Sequence, residues 1–385
     1  MRARTQASEL GIAEEPSPNP LPGGEGFLGR VAAWRDRTLA DPGFRAGAAR
    51  FPLTRPIARR RSRALFDLCA GFAYSQILHA CVSLRLFDIL AGGPQTAGGL
   101  APLLGLATDR AERLLEAAAG LKLLRRRGAA YGLGPLGAAT IGNPGVTAMI
   151  RHHALLYQDL ADPVNLLRGE RGGTLLAGYW PYAAAADPAA LGAADIAAYS
   201  RLMAASLPLV AAEILAAYDV RRHRCLLDIG GGEGAFLEAA AHRAPGLQLR
   251  LFELPEVAAR ARARLAAVEA YGGDMRHDAL PEGADLLTLI RVVHDHDDAA
   301  ALNILRNARR ATPPDGTLLV AEPMLEASGA ESVGAYFTFY LLALGSGRPR
   351  SPAVLVALLR QAGFSRVRPR RTGNPLLTSL VVAQP

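Results

Sequence analysis

The sequence predicts an α/β domain preceded by an all-α domain, and three observations carry that reading. From Cys225 onward, short apolar runs alternate with helix-length amphipathic stretches, the pattern of a mainly parallel sheet with helices on both faces. Before that point the apolar residues recur at helical spacing, as Leu65, Leu68 and Phe72 do with Gln76 and His79 beside them. The 385 residues are 50% hydrophobic and 20% charged, enough apolar surface for two cores.

In chain order, residues 1–29 are rich in Pro, Gly and Glu and are expected to be disordered. Glu9, Glu14 and Glu15 interrupt the start, so it does not read as a secretory signal. No run approaches the ~20 apolar residues of a membrane span. A cytoplasmic chain, free or held on a membrane surface, is therefore expected. Ten arginines stand between Arg30 and Arg63 against Asp36 and Asp41, a surplus equal to the chain's net charge of +8. Pro42, Pro52 and Pro56 break this stretch, leaving short helical pieces such as Leu28 to Leu39. Such a surplus suits nucleic acid or an anionic membrane. Lys122 is the only lysine, so the preference for arginine reads as coding bias and not as phosphate recognition. Cys69, Cys81 and Cys225 are scattered; neither a disulfide framework nor a metal site is expected.

Helical periodicity begins near Ala64, and three domains are expected: an extension over 1–62, a helical domain over 63–195 and an α/β domain over 196–385. Val82 to Leu90 is a helix ended by Gly92, Gly93 and Pro94, and Thr108 is expected to cap the next, with Ala111, Leu114, Leu115 and Ala118 on one face. Leu123 to Leu133 then reads as a short β-wing. This winged-helix pattern fits DNA binding or dimerisation. Dimerisation is favoured, because Glu112 and Glu116 on the candidate recognition helix would face phosphates of like sign. A helix over Val146 to Leu167 carries His152 and His153, whose side chains point about 100° apart and do not easily share a metal. Structural or substrate-pocket roles are expected for both. Ile196 to Tyr218 leads into the third domain, where strands are expected at Cys225–Ile229, Gln248–Phe252, Asp285–Ile290 and Thr317–Glu322.

The first strand runs into Asp228-Ile229-Gly230-Gly231-Gly232-Glu233-Gly234. In open α/β sheets ligands bind at the carboxyl ends of the strands, and glycine there lets backbone approach a cofactor closely. The glycine spacing departs from the G-x-G-x-x-G of dinucleotide sites. An acid beside the loop disfavours pyrophosphate but suits a cationic amino-acid group, such as that of S-adenosylmethionine (SAM). Glu253 ends the second strand, nineteen residues past Gly234, where a carboxylate can hold ribose hydroxyls. Gly272-Gly273-Asp274-Met275 follows at the position of a third strand's exit, with Asp274 placed to accept the adenine amino group and Met275 to face the purine.

The segments DIGGGEG (228–234), FELP (252–255), GGDM (272–275), His294-Asp295 and VAE (320–322) resemble the motifs of plant-type and acetylserotonin-type SAM-dependent O-methyltransferases. The resemblance implies a Rossmann-like SAM-binding domain behind a winged-helix-like dimerisation domain, and a homodimer. It adds Leu254, Arg291 and, more weakly, Ser206 to the cofactor contacts Asp228, Gly230, Gly231, Gly232, Glu253, Asp274 and Met275. It also makes His294 the general base, at the end of the apolar run Leu286 to Val293. Histidine suits that task because its pKa lies near working pH. Glu322 would orient the imidazole through its other nitrogen, and Asp295 would position the acceptor hydroxyl. Two departures stand out. His296 replaces the family's usual tryptophan, and Gly345 to Arg350 reads GSGRPR where the family has G-G-x-E-R, with proline in place of the acid.

Tyr336 to Leu344 is apolar nearly all round; Phe337, Tyr340, Leu341 and Leu344 are expected to line an acceptor pocket, although a plain core helix fits the same pattern. LFDLCAGFAYSQ (65–76), RHHALLYQDLADPV (151–164) and RVVHDHDDAAAL (291–302) resemble the carotenoid 1-hydroxyl O-methyltransferases of phototrophic bacteria, of the demethylspheroidene and hydroxyneurosporene type. That resemblance implies a hydrophobic tertiary alcohol as acceptor. The basic stretch is then expected to hold the enzyme on anionic lipid. The competing readings are methylation of a phenolic or polyketide hydroxyl, a SAM-sensing winged-helix regulator and, weakest, a nicotinamide oxidoreductase.

Overall fold

The computed structural model of the chain describes residues 27–170, 172–179, 193–326 and 330–385. The disorder expected over 1–29 lies outside the described residues except for its last three, which open a helix. Two compact units divide at Tyr74 and Ser75. The first holds α1 (Phe27–Ala40), α2 (Pro42–Arg50) and most of α3 (Arg55–Ser83). Pro42 and Asp41 explain the break: proline fits the first helical turn, and the Asp41 side chain accepts from the Phe44 N–H. Among the described residues α3 is the one helix long and apolar enough to cross a membrane, by length and composition only. Its last turn instead carries Cys81 and Val82 into a protein core.

The second unit begins with that core. α4 (Leu86–Ala91), α5 (Ala97–Leu104) and α6 (Thr108–Gly120) pack around Leu86, Leu100 and Leu115. The wing is a three-stranded antiparallel sheet, β1 (Gln95–Thr96), β3 (Ala130–Leu133) and β2 (Leu124–Arg127) in that spatial order. Thr108 opens α6 as a helical residue; Ala107 holds the cap position and supplies no side-chain bond.

The helix expected over 146–167 is two: α8 (Pro144–Asp159) and α9 (Pro163–Arg168), following the short α7 (Pro135–Ala138). The interruption falls where Pro163 opens α9 and the Asp162 side chain caps it by accepting from the Asn165 N–H. The Asp159 carboxylate accepts from the Leu175 and Leu176 N–H groups and so ties α10 (Leu175–Tyr179) to the end of α8. Then α11 (Ala193–Ala217) crosses α8 closely, because Gly145 leaves no room for a Cβ, which would lie 2.3 Å from the Ala205 carbonyl oxygen.

The α/β sheet has seven strands. β4 (Cys225–Ile229), β5 (Gln248–Glu253), β6 (Val268–Gly272), β7 (Leu286–Ile290) and β8 (Thr317–Glu322) are parallel, in the order β6-β5-β4-β7-β8. β9 (Arg366–Arg370) and β10 (Ser379–Gln384) extend it antiparallel as β8-β10-β9. The four strands expected from sequence are present, and β6 ends at Gly272, where a third strand is expected to exit; β9 and β10 are additions. Strands β4, β7 and β8 are buried along their whole length, as a sheet covered on both faces requires. The helices are α12 (Ala235–Arg243), α13 (Pro255–Arg264), α14 (Asp298–Ala311), α15 (Glu331–Leu344) and α16 (Pro352–Gln361). Chain order reverses at β4, which lies between β5 and β7, so a switch-point crevice opens at the carboxyl end of β4.

Candidate active site

A cleft occupies that crevice, lined by Asp228, Gly230 to Glu233, Phe252 to Leu254, Gly273 to Arg276 and Ile290 to Val292, with Met203, Ala204 and Leu207 of α11 opposite. The glycine loop is required by geometry. Gly230 and Gly232 have φ of 69° and 58°, a region that penalises side chains. At Gly231 a Cβ would fall 2.2 Å from Asp228 Oδ2. The β4–β7 register pairs Asp228 with Thr288, whose hydroxyl donates to Oδ1 at 2.6 Å. Asp228 Oδ2 is buried with no hydrogen-bond partner among the described residues. Burial pushes the Asp228 carboxyl up to about 7, and nearby Glu253 adds to this while the Thr288 bond opposes it. An orphaned carboxylate oxygen beside a glycine cradle is what a cationic ammonium group would complete. These residues therefore fit SAM.

Glu253 closes the loop from the β5 side. Its Oε2 accepts from the Gly232 N–H at 3.0 Å and its Oε1 from the Leu254 N–H at 2.8 Å. Burial raises its pKa, and those two bonds oppose the rise. Asp274 lines the cleft but is gripped by Arg276, whose Nε and Nη2 donate to it at 3.0 and 2.7 Å. Burial would raise the Asp274 pKa, yet the Arg276 bonds bring it below the usual range. Arg276 is a cleft residue that sequence reading missed; only its spacing of two from Asp274 hinted at it. Met275 packs on the sheet core and faces Gly230. Arg291 takes φ of 56° to turn into the cleft, and its Nη1 donates to Ser206 Oγ at 2.9 Å. Ser206 thus meets the site through Arg291.

His294, Asp295 and Glu322 are brought together beyond the ends of β7 and β8. His294 and Asp295 sit on a 3₁₀ turn, Val293–Asp295, and Glu322 ends β8. All three are buried. Glu322 Oε1 accepts from the Val292 and Val293 N–H groups at 3.1 and 2.7 Å, and Oε2 holds His294 Nδ1. On the other side Asp295 Oδ1 lies 2.8 Å from Nε2 but makes no hydrogen bond: the contact is an ion pair, off the hydrogen-bonding direction. Burial alone would lower the imidazole pKa, but the Asp295 and Glu322 carboxylates raise it to about 10. The Asp295 carboxyl is itself pushed up by burial, against the pull of His294.

The strap Gly345 to Arg350 holds this turn in place. The Arg348 N–H donates to the His294 carbonyl at 2.8 Å. Arg350 is 5% exposed; its Nη1 donates to the Val293 carbonyl and its Nη2 to the His296 carbonyl, both at 2.8 Å. A Cβ at Gly347, where φ is 73°, would lie 2.1 Å from the His294 oxygen. His296 lines the cofactor cleft, and burial holds its pKa down at about 4, so it is neutral there.

On the far side of His294, Phe337 meets the imidazole edge-to-face at 5.8 Å. Tyr336 and Tyr340 bracket it on α15. Each phenol is hydrogen-bonded to an imidazole of α8, Tyr340 to His152 at 2.9 Å and Tyr336 to His153 at 2.7 Å. Burial lowers both imidazoles, His152 to about 4. Leu341 and Leu344 pack with Leu156, Leu166 and Leu176. The four acceptor-pocket candidates therefore divide: Phe337 meets the His294 imidazole, Tyr340 pairs with His152, and the leucines sit in the core. Among the described residues no cluster suits a metal ion.

Residues 157–365 match the O-methyltransferase domain family, and residues 66–142 match the O-methyltransferase dimerisation domain, which supports a homodimer. The chain is similar to demethylspheroidene O-methyltransferase of Rhodobacter capsulatus, 43% identical over 87% of this chain and 85% of that protein. It is also similar to acetylserotonin O-methyltransferase of Mus musculus, at 36% over 82% and 87%. Human N-acetylserotonin methyltransferase, solved in complex with SAM, superposes with a TM-score of 0.70 at 26% identity, covering 84% of this chain and 97% of that one. With a cleft that fits SAM, a histidine held by a glutamate at its edge, and both family domains in order, the chain belongs to the SAM-dependent O-methyltransferases that carry an N-terminal dimerisation domain.

Proposed function

We propose that the enzyme methylates the tertiary 1-hydroxyl of an acyclic carotenoid of the demethylspheroidene or hydroxyneurosporene type, with His294 as general base, at the cytoplasmic face of a membrane. The observation that carries the site assignment is His294 itself, tied at Nδ1 by Glu322 and bordered by the aromatic ring of Phe337. The acceptor class is supported by the likeness to the demethylspheroidene enzymes. We also propose the domain boundaries 62/63 and 195/196.

Bound SAM supplies an electrophilic methyl group. Asp228, Glu253, Asp274 and Met275 would hold it against the glycine loop, with Arg291 and Ser206 closing the α11 side. Glu322 fixes the ring so that Nε2 faces the acceptor. In the acceptor-free site Nε2 is paired with Asp295 and the imidazole is cationic near neutral pH. An acceptor hydroxyl entering between Nε2 and Asp295 separates that pair. Losing one carboxylate neighbour and gaining burial both bring the imidazole pKa down. The ring can then take the hydroxyl proton at Nε2 as the oxygen–carbon bond forms and the carbon–sulfur bond breaks. A tertiary alcohol is too weak an acid to ionise beforehand, so the two events are concerted and alignment dominates. Phe337 excludes water from that contact.

A phenolic hydroxyl is the alternative acceptor, and one experiment separates the two. Labelled methyl transfer from SAM to a detergent-dispersed mixture of 1-hydroxycarotenoids and phenols should label a carotenoid methyl ether. Label confined to phenols would reject the carotenoid assignment and keep the base. Label in neither would reject both.

A further inference from the structure

We infer that α1 is a membrane-surface helix that seats the enzyme on an anionic bilayer through an aromatic face framed by arginines. Phe27, Val31 and Trp34 are spaced four and three apart, so they share one face of α1. They are 72%, 45% and 63% exposed. Arg30 and Arg37 flank that face on one side and Arg35 on the other, while Asp36 lies opposite it. An apolar face bearing tryptophan and phenylalanine with cations at its borders is the pattern of an interfacial helix, whose arginine stems lie along the acyl boundary and whose heads meet lipid phosphates.

Charge decides between the possible occupants. A second copy meeting this face about a two-fold axis would bring Arg30, Arg35 and Arg37 against the same residues. The match to the dimerisation domain begins only at residue 66. Nucleic acid would neutralise the arginines but leave the Phe27, Val31 and Trp34 side chains facing phosphates and water. An anionic lipid surface satisfies both parts. The surplus of eight positive charges over Arg30 to Arg63 adds attraction along the helices that follow, roughly fivefold in binding for each arginine that reaches the surface. This placement gives a purpose to the proposed acceptor, a substrate that resides in lipid, and in that respect rests on the proposed function; binding to lipid is testable without it.

The test uses the full chain and vesicles of phosphatidylcholine with or without phosphatidylglycerol. Wild type should co-sediment with the anionic vesicles, more weakly as salt rises, and not with pure phosphatidylcholine. The Phe27→Gln/Trp34→Gln variant should lose roughly tenfold in vesicle binding, with an unchanged circular dichroism spectrum and dimer mass. The chain has two tryptophans, Trp34 and Trp180. In a Trp180→Phe background the remaining indole should therefore shift its emission to the blue on anionic vesicles. An unshifted emission, wild-type binding by the double variant, or dissociation of the dimer without loss of vesicle binding would each overturn the inference. So would binding to duplex oligonucleotide without binding to vesicles. Failure of the acceptor assignment shows separately, as absence of methyl transfer to detergent-dispersed carotenoid by a chain that still binds vesicles.

Discussion

Arg350→Met removes the guanidinium that holds the catalytic turn while nearly preserving side-chain length. Its Nη1 and Nη2 serve the carbonyls of Val293 and His296, one on either side of His294-Asp295, and its Nε and Nη2 reach Asp298 at 3.0 and 2.8 Å. Asp298 is half exposed and can be rehydrated. Of the two carbonyls the Val293 bond is the buried one. A buried acceptor left without a donor costs about 1–3 kcal/mol, and the partly buried His296 carbonyl adds less. The loss of stability is then about 2–4 kcal/mol, short of the 5–15 kcal/mol that typically holds a domain together. The variant should fold. Its kcat should still fall on the order of a hundredfold, because a shift of about 1 Å in the base misaligns a transfer that depends on position. Arg350→Lys, with its charge kept and its fork lost, should fall between. The assay is kcat and KM for the acceptor at saturating SAM, beside SAM affinity by calorimetry and a urea melt. SAM affinity should stay within a few-fold, since the glycine loop is untouched. Wild-type kcat in Arg350→Met would refute the strap's role, and a parallel loss of SAM affinity would place the damage in the cleft.

Other outcomes follow from the same geometry. His294→Ala should abolish turnover and leave SAM affinity within a few-fold; an active alanine variant would remove the proposed base. Glu253→Ala should weaken SAM binding, because the Gly232 and Leu254 N–H groups lose their acceptor along with any ribose contact; unchanged affinity by calorimetry would sink that assignment. His152 and His296 are held near 4 by burial, against 6.5 for free imidazole. The unfolded chain therefore binds protons that the folded chain refuses. The stability they contribute is present above pH 6.5 and lost as pH falls toward 4. The buried Asp228 carboxyl, raised to about 7, works in the opposite sense over the same window. The test is therefore the difference between variant and wild type: the urea midpoint of His152→Phe should fall less from pH 6.5 to 4 than that of wild type, and an identical pH dependence in the two would contradict the buried-neutral assignment.

How much of this was legible in the sequence depended on how locally each feature is encoded. The glycine loop, Glu253 and the His294–Glu322 pair were readable because each sits at a strand end, where an apolar run stops at a polar residue. β6 was legible only by its exit at Gly272, since from Glu269 onward its residues are half-buried or exposed at the sheet edge, and β9 was not, because it reads as arginines around one buried valine. The same limit hid the partners of Asp159, whose carboxylate is buried against two N–H groups of α10, sixteen residues on. His152 and His153 were visible as residues, but their partners lie more than 180 positions away on α15, and no local pattern links them. Arg350 was passed over for a different reason. A buried arginine satisfied by backbone carbonyls leaves no mark in composition.

That missing acid bears on how the base works. With Pro349 in its place, the strap contributes no carboxylate to the imidazole, and Glu322 alone holds Nδ1. The strap is nevertheless kept against the catalytic turn by Gly347, the Arg348 amide and the Arg350 guanidinium. These contacts fix where the histidine sits. A second glutamate near Nδ1 would raise an imidazole pKa that already stands at about 10 in the acceptor-free site, and a base that holds its proton more tightly is less often free to take one. For a tertiary alcohol, whose proton leaves only as the methyl arrives, the rate depends on the fraction of sites with a neutral ring in line with the hydroxyl. One orienting carboxylate, an Asp295 that the acceptor can displace, and a turn pinned at both ends favour that fraction over raw basicity. Restoring the acid by Pro349→Glu should therefore lower kcat at neutral pH and move the pH–rate profile upward, and an unshifted profile with a higher kcat would show that basicity, not alignment, limits the reaction.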